Sequence, residues 1–426
     1  MAADIAEASS SERPPQSPAR KIREGELVAM LALLQALHAL AIDAMLPALG
    51  NIATDLNVAD PNKRQMIVGA FLIGIGLGSL VPGALADRFG RKPVLLFCII
   101  TYVLLTAACA LTTSMDALII IRLIQGLVSS GMSVLPQAII RDKFEGDRMA
   151  RLQSMITVIF MVVPMIAPSI GQVIMHMAGW RWIFGFMGVC GLIILTWVWL
   201  RLPETLHPEC RQPFRIGAIA RNMGETLTNR ASFGYVLGSA LLLGVAWGYV
   251  QSSQQLVAEH FGAADAFPLI FGGMALSMAL SNFTNSRIVE RLGARRVSHA
   301  ALLAYILVTS AQFTLAATGR QTLWEFVVLQ SLTMMLTGFV GANFGSISLQ
   351  PFARIAGAAA SVQAFVRMVS ASLLGWWIGQ SFDGTPVPFA SAALASGLLA
   401  LALVLWSEKG RLFRRLHPPG TPRPEL

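Results

Sequence analysis

Four ionisable side chains stand inside otherwise apolar stretches of the chain: His38, Asp43, Arg122 and Arg367. Where the surroundings are lipid, such groups are expensive to bury and mark ion or proton pathways by default. Asp43 lies six residues before Leu49, and Arg122 lies six residues after Asp116. At about 1.5 Å per residue, each is about 9 Å from the end of its apolar run, measured from the same side. An acid and a guanidinium at one level can pair if their helices are neighbours. Burial favours the protonated carboxylic acid and a nearby Arg favours the anion, so small changes in distance or hydration load or release a proton. A static pair that only orients two helices is the simpler alternative. Gln125 is one turn from Arg122, on the same side, and can hold the Arg or a water. His38 is about 140° round the helix from Asp43 and is expected to pack. Arg367 either snorkels or pairs across the bundle, and the sequence leaves both open.

The elements that must position these groups are long apolar runs. Stretches of about 20 residues, long enough to span a bilayer core, recur from Leu27 to Trp406. The 426 residues are 55% hydrophobic and 13% charged, with mean hydropathy +0.62, against about 25% charged in a soluble domain. A soluble enzyme is excluded. The pattern predicts an all-α polytopic membrane protein with twelve spans, starting near Leu27, Met66, Val94, Asp116, Leu152, Trp182, Phe233, Phe267, Ser298, Trp324, Ala356 and Phe389. There is no nucleotide-binding loop, zinc motif or Gly-x-Ser-x-Gly elbow, so neither a catalytic nor a metal site is expected. Cys98, Cys109, Cys190 and Cys210 lack metal-ligand spacing and read as reduced packing residues.

Net charge is +9 and the pI about 9.9. The basic residues sit in short loops, so lipid headgroups rather than nucleic acid are the expected partners. Placing the N-terminus inside puts 26 of the 32 Lys and Arg in cytoplasmic segments, which predicts that both termini are cytoplasmic. The expected divisions are a disordered tail at 1–26, a six-helix bundle at 27–205, a linker at 206–231, a second six-helix bundle at 232–407 and a tail at 408–426. The halves carry a shared signature: Leu85-Ala-Asp-Arg-Phe-Gly-Arg-Lys92 aligns with Ile288-Val-Glu-Arg-Leu-Gly-Ala-Arg295 at an offset of 203 residues. Matched acid, Arg and Gly positions indicate duplication.

Gly83-Ala-Leu-Ala-Asp-Arg-Phe-Gly-Arg-Lys92 resembles the loop motif between the second and third helices of the major facilitator superfamily. Other stretches resemble its Bcr/CflA-type drug:proton antiporters. These are Ile42-Asp-Ala-Met-Leu-Pro-Ala-Leu49, Arg122-Leu-Ile-Gln-Gly126, Arg141-Asp-Lys-Phe144, Pro164-Met-Ile-Ala-Pro-Ser-Ile-Gly171, Trp180-Arg-Trp-Ile-Phe184 and Leu202-Pro-Glu-Thr-Leu206. The resemblance covers most of residues 27–206 and is weaker beyond.

The resemblance implies two pseudo-symmetric six-helix bundles around a cavity that opens alternately to each side of a bacterial inner membrane. It implies proton-driven export of small amphipathic compounds by a monomer, with the proton gradient as energy source and no cofactor. It also implies a cytoplasmic latch from Gly83, Asp87, Arg88, Gly90, Arg91, Lys92 and Asp142. In that latch Asp87 meets the start of the eleventh helix and Arg91 reaches Asp142. Pro164, Pro168 and Gly171 would form the antiporter motif of the fifth helix. Gln35 stands where some relatives carry a second acid, which argues against a mechanism needing two membrane carboxylates. Candidate cavity residues are Gln35, Met45, Met132, Met161, Trp247, Asn343 and Trp376, although packing claims most residues of these types in a bundle. An exporter of an endogenous metabolite on the same fold and a non-transporting membrane sensor are the alternatives.

Overall fold

In a backbone crossing lipid, each N–H and C=O must be satisfied within its own segment, which leaves helices as the solution for long apolar runs. The computed structural model describes residues 22–144, 146–207, 217, 224–226 and 228–414. Twelve helical spans are present among them, counting one bent pair as a single span. The first is α1 (Glu24–Asp43), continued after a break by a short 3₁₀ turn and Leu49–Asp55. The second is α2 (Met66–Gly78), continued at a 46° bend by Val81–Phe89. Then follow α3 (Arg91–Leu111), α4 (Met115–Lys143), α5 (Gly146–Ala178) and α6 (Arg181–Arg201). The second half comprises α7 (Arg230–Gln254, with a π turn to His260), α8 (Phe267–Leu292) and α9 (Ala294–Ala317). It ends with α10 (Leu323–Leu349), α11 (Ala356–Gln380) and α12 (Val387–Ser407). The expected tails and the 206–231 linker fall largely outside the described residues, as does Cys210.

In the first half α1 packs on α4, α5 and α6, α2 packs on α4, and α3 packs on α4 and α6. In the second half α7 packs on α10, α11 and α12, while α9 packs on α10 and α12 and α8 on α10. The halves meet along α5–α8 and α2–α11. The α2–α4 contact is set by glycine: Cβ atoms at Gly74, Gly78 and Gly126 would overlap the carbonyl oxygens of Leu123, Leu127 and Phe71. Small residues at such spacing let backbones approach closely, which is what drives helix association in lipid.

The two copies of the loop signature fold alike. Gly90 (φ 105°) and Gly293 (φ 87°) each end one helix and begin the next. Only glycine holds that conformation without strain. An acid lies beside each turn. Glu204 accepts the backbone N–H groups of Arg91 (2.9 Å) and Lys92 (3.2 Å) at the start of α3. Glu408 accepts Arg295 Nε (2.7 Å) at the start of α9.

Polar contacts between the halves gather on the face opposite this loop. Arg64 at the start of α2 meets Glu259 after α7 at 2.6 Å. Asn62 Nδ2 donates to the carbonyls of Gln380 (3.1 Å) and Phe382 (2.7 Å), while Gln380 Nε2 donates back to Asn62 O (2.9 Å). Gln255 Nε2 donates to Asn62 Oδ1 at 3.1 Å. The molecule is thus held shut on that face.

Candidate functional site

Arg122 is fully buried, and its donors are committed to three neighbours. Nη2 donates to Ala41 O (2.7 Å), Nε to Ile67 O (3.2 Å) and Nη1 to Gln125 Oε1 (2.7 Å). The guanidinium also lies 4.1 Å from the centre of the Phe71 ring, a favourable cation–π distance. Gln125 Nε2 in turn donates to Thr106 Oγ1 of α3 at 2.7 Å. One arginine therefore ties α1, α2 and α4 together and reaches α3 through Gln125. The local sequence of α1 creates the opening for it. The helix stops at Asp43, and the next segment carries Pro47, which has no N–H. A helix end leaves carbonyls without intrahelical donors, and Arg122 supplies one to Ala41.

The expected Asp43–Arg122 ion pair is not formed, which corrects the sequence reading. Arg122 contacts helix 1 two residues before Asp43, at the depth given by counting residues. Carbonyl and amide oxygens take the guanidinium instead of the carboxylate. Asp43 is 6% exposed, and no hydrogen bond or ion pair to its carboxylate is found among the described residues. Gln125 makes one of the two contacts expected of it, to the Arg rather than to a water. His38 packs as expected, with Nδ1 3.0 Å from Ser129 Oγ of α4.

The Pro164–Gly171 stretch comes against the α1 break. The helix runs through both prolines, and each removes a donor from the carbonyl four residues earlier. A Cβ at Gly171 would overlap the carbonyl oxygen of Ala44, the residue after Asp43. A turn and a half earlier on α5, Met165 O lies 2.7 Å from where a Cβ of Gly272 on α8 would stand. This stretch therefore touches the unpaired carboxylate's helix on one side and the other half of the molecule on the other.

The loop motif is partly as expected. Arg91 Nε donates to Asp142 Oδ2 at 2.8 Å, and Arg91 Nη1 meets Asp87 Oδ1 at 2.7 Å. Asp87 is 45% exposed and pairs with Arg91, while the side chains at the start of α11, where its other contact was expected, lie outside the described residues. Gly83 faces Val134 of α4. Arg88 lies 5.1 Å from the Phe89 ring centre, and Lys92 Nζ donates to Trp199 O of α6 (2.8 Å).

Three of the candidate cavity residues are packing residues here. Met45 and Met132 have no exposed surface. Asn343 is 3% exposed and donates to Asn285 Oδ1 (2.7 Å) and Phe339 O (2.8 Å). Gln35 is mostly buried on the His38 side of α1, and Met161 is half-buried. Trp247 abuts Gly375 between α7 and α11, and the partly exposed Trp376 abuts Gly69 between α11 and α2. Thr106, Glu204 and the Asn62–Arg64–Glu259–Gln380 cluster have functional positions that their residue types and spacing do not announce. The opposite charges of Arg64 and Glu259 at span ends on one face were the only trace of that cluster.

Two helical halves with duplicated turns, meeting around broken and glycine-packed spans that hold a buried acid, define a polytopic transporter rather than an enzyme. The profile described as Major Facilitator Superfamily matches residues 31–252, and the chain belongs to that superfamily. A bicyclomycin resistance protein homolog of Haemophilus influenzae is 28% identical over 359 residues, 84% of this chain and 90% of that protein. The multidrug resistance protein MdtL of Klebsiella pneumoniae is 29% identical over 348 residues, covering 80% of this chain and 85% of its own length. Among solved structures, a D-xylose-proton symporter superposes with TM-score 0.69 at 16% identity, over 91% of this chain and 99% of that one. The two resistance proteins agree with the drug-transporter resemblance, and the symporter agrees with the fold.

Proposed function

We propose that the protein exports small amphipathic compounds across a bacterial inner membrane in exchange for protons, with both termini in the cytoplasm. The observation that carries this reading is Asp43, a buried carboxylate without a partner among the described residues, next to the point where Gly171 of α5 presses on the break in α1. Burying an ionised carboxylate unpaired costs several kcal/mol. A proton on Asp43 removes that penalty, and water reaching the α1 break removes it differently. Rocking of one half against the other at α5–α8 changes access to the break, so proton loading and opening are coupled. Arg122 does not have to be released in this scheme. It holds α1 in register while its positive charge sits near the acid's level.

The other expected parts follow. The Arg64–Glu259 and Asn62–Gln380 contacts would form the periplasmic closure of a cavity open to the cytoplasm. The Asp87–Arg91–Asp142 group would be the cytoplasmic latch in its released form, ready to engage α11 when that side closes. Substrates and protons are the working partners, lipid surrounds a monomer, and no cofactor or nucleic acid takes part.

The test uses inverted vesicles from an efflux-deficient host, energised by a pH gradient. The wild type should expel a drug from the medium into the vesicle and stop on addition of a protonophore. Asp43→Asn should insert normally and lose proton-driven movement by at least tenfold. Coupled transport at the wild-type rate in that variant would refute the role of Asp43.

A further inference from the structure

Arg367 is the one long basic side chain near the middle of a second-half span. It stands 11 residues after Ala356 and 13 before Gln380 on α11, so it is about 16 Å from one end of the helix and about 20 Å from the other. The side chain is half-buried and has no hydrogen bond or ion pair among the described residues. Its Nη1 lies 3.7 Å from where a Cβ of Gly345 would stand on α10. One turn before Gly345, nothing lies within 4 Å of the equivalent point at Gly341. The guanidinium thus lies over a glycine surface with open space beside it.

Polar side chains near it are committed elsewhere. Gln363, one turn before Arg367, donates to Ser232 Oγ and Ser348 O, both at 3.0 Å, and accepts from Ser348 Oγ at 2.8 Å. Asn343 donates to Asn285 and Phe339. A counter-charge from the chain is also missing at this level. Among the described residues every Asp and Glu lies in a loop or within about a turn of a helix end, Asp43 being the last residue of α1. On α2, Ile67 meets Arg122 at the level of Ala41, whereas Gly76 packs on Met368 and Val369, beside Arg367 and farther along α2 from the closed face. The acid is therefore nearer the closed face. A guanidinium held in low dielectric needs an anion to pair with, and its planar fork fits a carboxylate, sulfonate or phosphate.

We propose that Arg367 is the docking point for an anionic group on the exported compound, and that the substrates are amphipathic anions whose charged end sits between α10 and α11. The assignment rests on the export reading above and adds the sign of the substrate's charge. Asp43 and Arg367 then divide the work: the first-half acid carries the proton and the second-half cation carries the substrate.

Purified full-length protein in liposomes with an imposed pH gradient tests this with two dyes, anionic fluorescein and cationic ethidium. The wild type should move fluorescein in a gradient-dependent manner. Arg367→Gln should lower that rate at least tenfold, and Arg367→Lys should keep an intermediate rate because it retains the charge without the fork. Unchanged fluorescein transport by R367Q overturns the assignment. Equal loss of both dyes in R367Q also overturns it, since that marks a structural role. The wild type provides a check that needs no variant. Gradient-driven movement of ethidium alone keeps the export reading and overturns the anion assignment, whereas movement of neither dye overturns both.

Discussion

Replacing Arg122 with Met separates a structural pin from a proton switch. The substitution keeps an unbranched side chain of moderate length and removes all three donated hydrogen bonds, to Ala41 O, Ile67 O and Gln125 Oε1. Each buried acceptor left unsatisfied costs about 1–3 kcal/mol, whereas side-chain hydrogen bonds between membrane helices average about 0.6 kcal/mol in double-mutant cycles. Three such bonds together with the lost contact to Phe71 give a destabilisation of about 2–5 kcal/mol. For a unit the size of one six-helix half, this lowers the melting temperature by about 5–15 °C. Cys98 and Cys109 are 3% and 0% exposed, so a thiol-reactive fluorophore in detergent reports unfolding directly. Arg122→Lys should recover part of the loss, because an ammonium reaches one or two of the oxygens without matching the fork. An Arg122→Met protein that melts with the wild type but has lost proton coupling would refute the pin and restore Arg122 as the switch.

Gly171→Val places branched carbon where the Ala44 carbonyl stands, and backbone on both sides prevents an easy shift. The expected cost is about 3 kcal/mol or more, and vesicle transport should fall well below the wild-type rate even in the fraction that folds. Wild-type transport by this variant would show that α5 does not act on the α1 break. Glu408, just past α12, has its carboxyl pushed up by burial, but hydrogen bonds from Arg295 and Tyr235 outweigh this and hold it below the ordinary carboxylate range. A lowered folded value means that the stabilisation is present above the unfolded value of about 4.3 and disappears as pH falls through the folded one. Glu408→Gln should therefore melt below the wild type at pH 7, by about 1–2 kcal/mol of stability. The gap should close in acid, and a gap that is constant with pH would contradict the ion-pair account.

The twelve spans, the duplication and the charged outliers were legible in the sequence because each rests on a local rule. A helix is forced wherever about 20 apolar residues run together. The repeated Gly90 and Gly293 announce a backbone conformation that other residues avoid. Asp43 and Arg122 were legible as groups that do not belong in lipid, and even their common depth followed from counting residues. Their partners were not. The sequence carries the rise along each helix but not the rotation of one helix against the next. Nor does it show that the end of α1 exposes a carbonyl at Ala41 for Arg122 to take.

Other features depended wholly on how distant segments meet. Asn62 and Gln380, or Arg64 and Glu259, are ordinary polar residues at span ends until packing of the two halves brings them into contact. Met45 and Met132 were plausible cavity residues by type, and only burial shows them as core. Asp87 fits its motif in sequence, and the fold gives it Arg91 as a partner. Composition and local pattern determined that this chain is a duplicated helical membrane protein with a few charges inside, because solvation by lipid acts on each segment separately. Tertiary structure decided which of those charges is pinned, as in Arg122, and which stand unpaired, as in Asp43 and Arg367, because pairing is a property of helix azimuth and contact that no single segment contains.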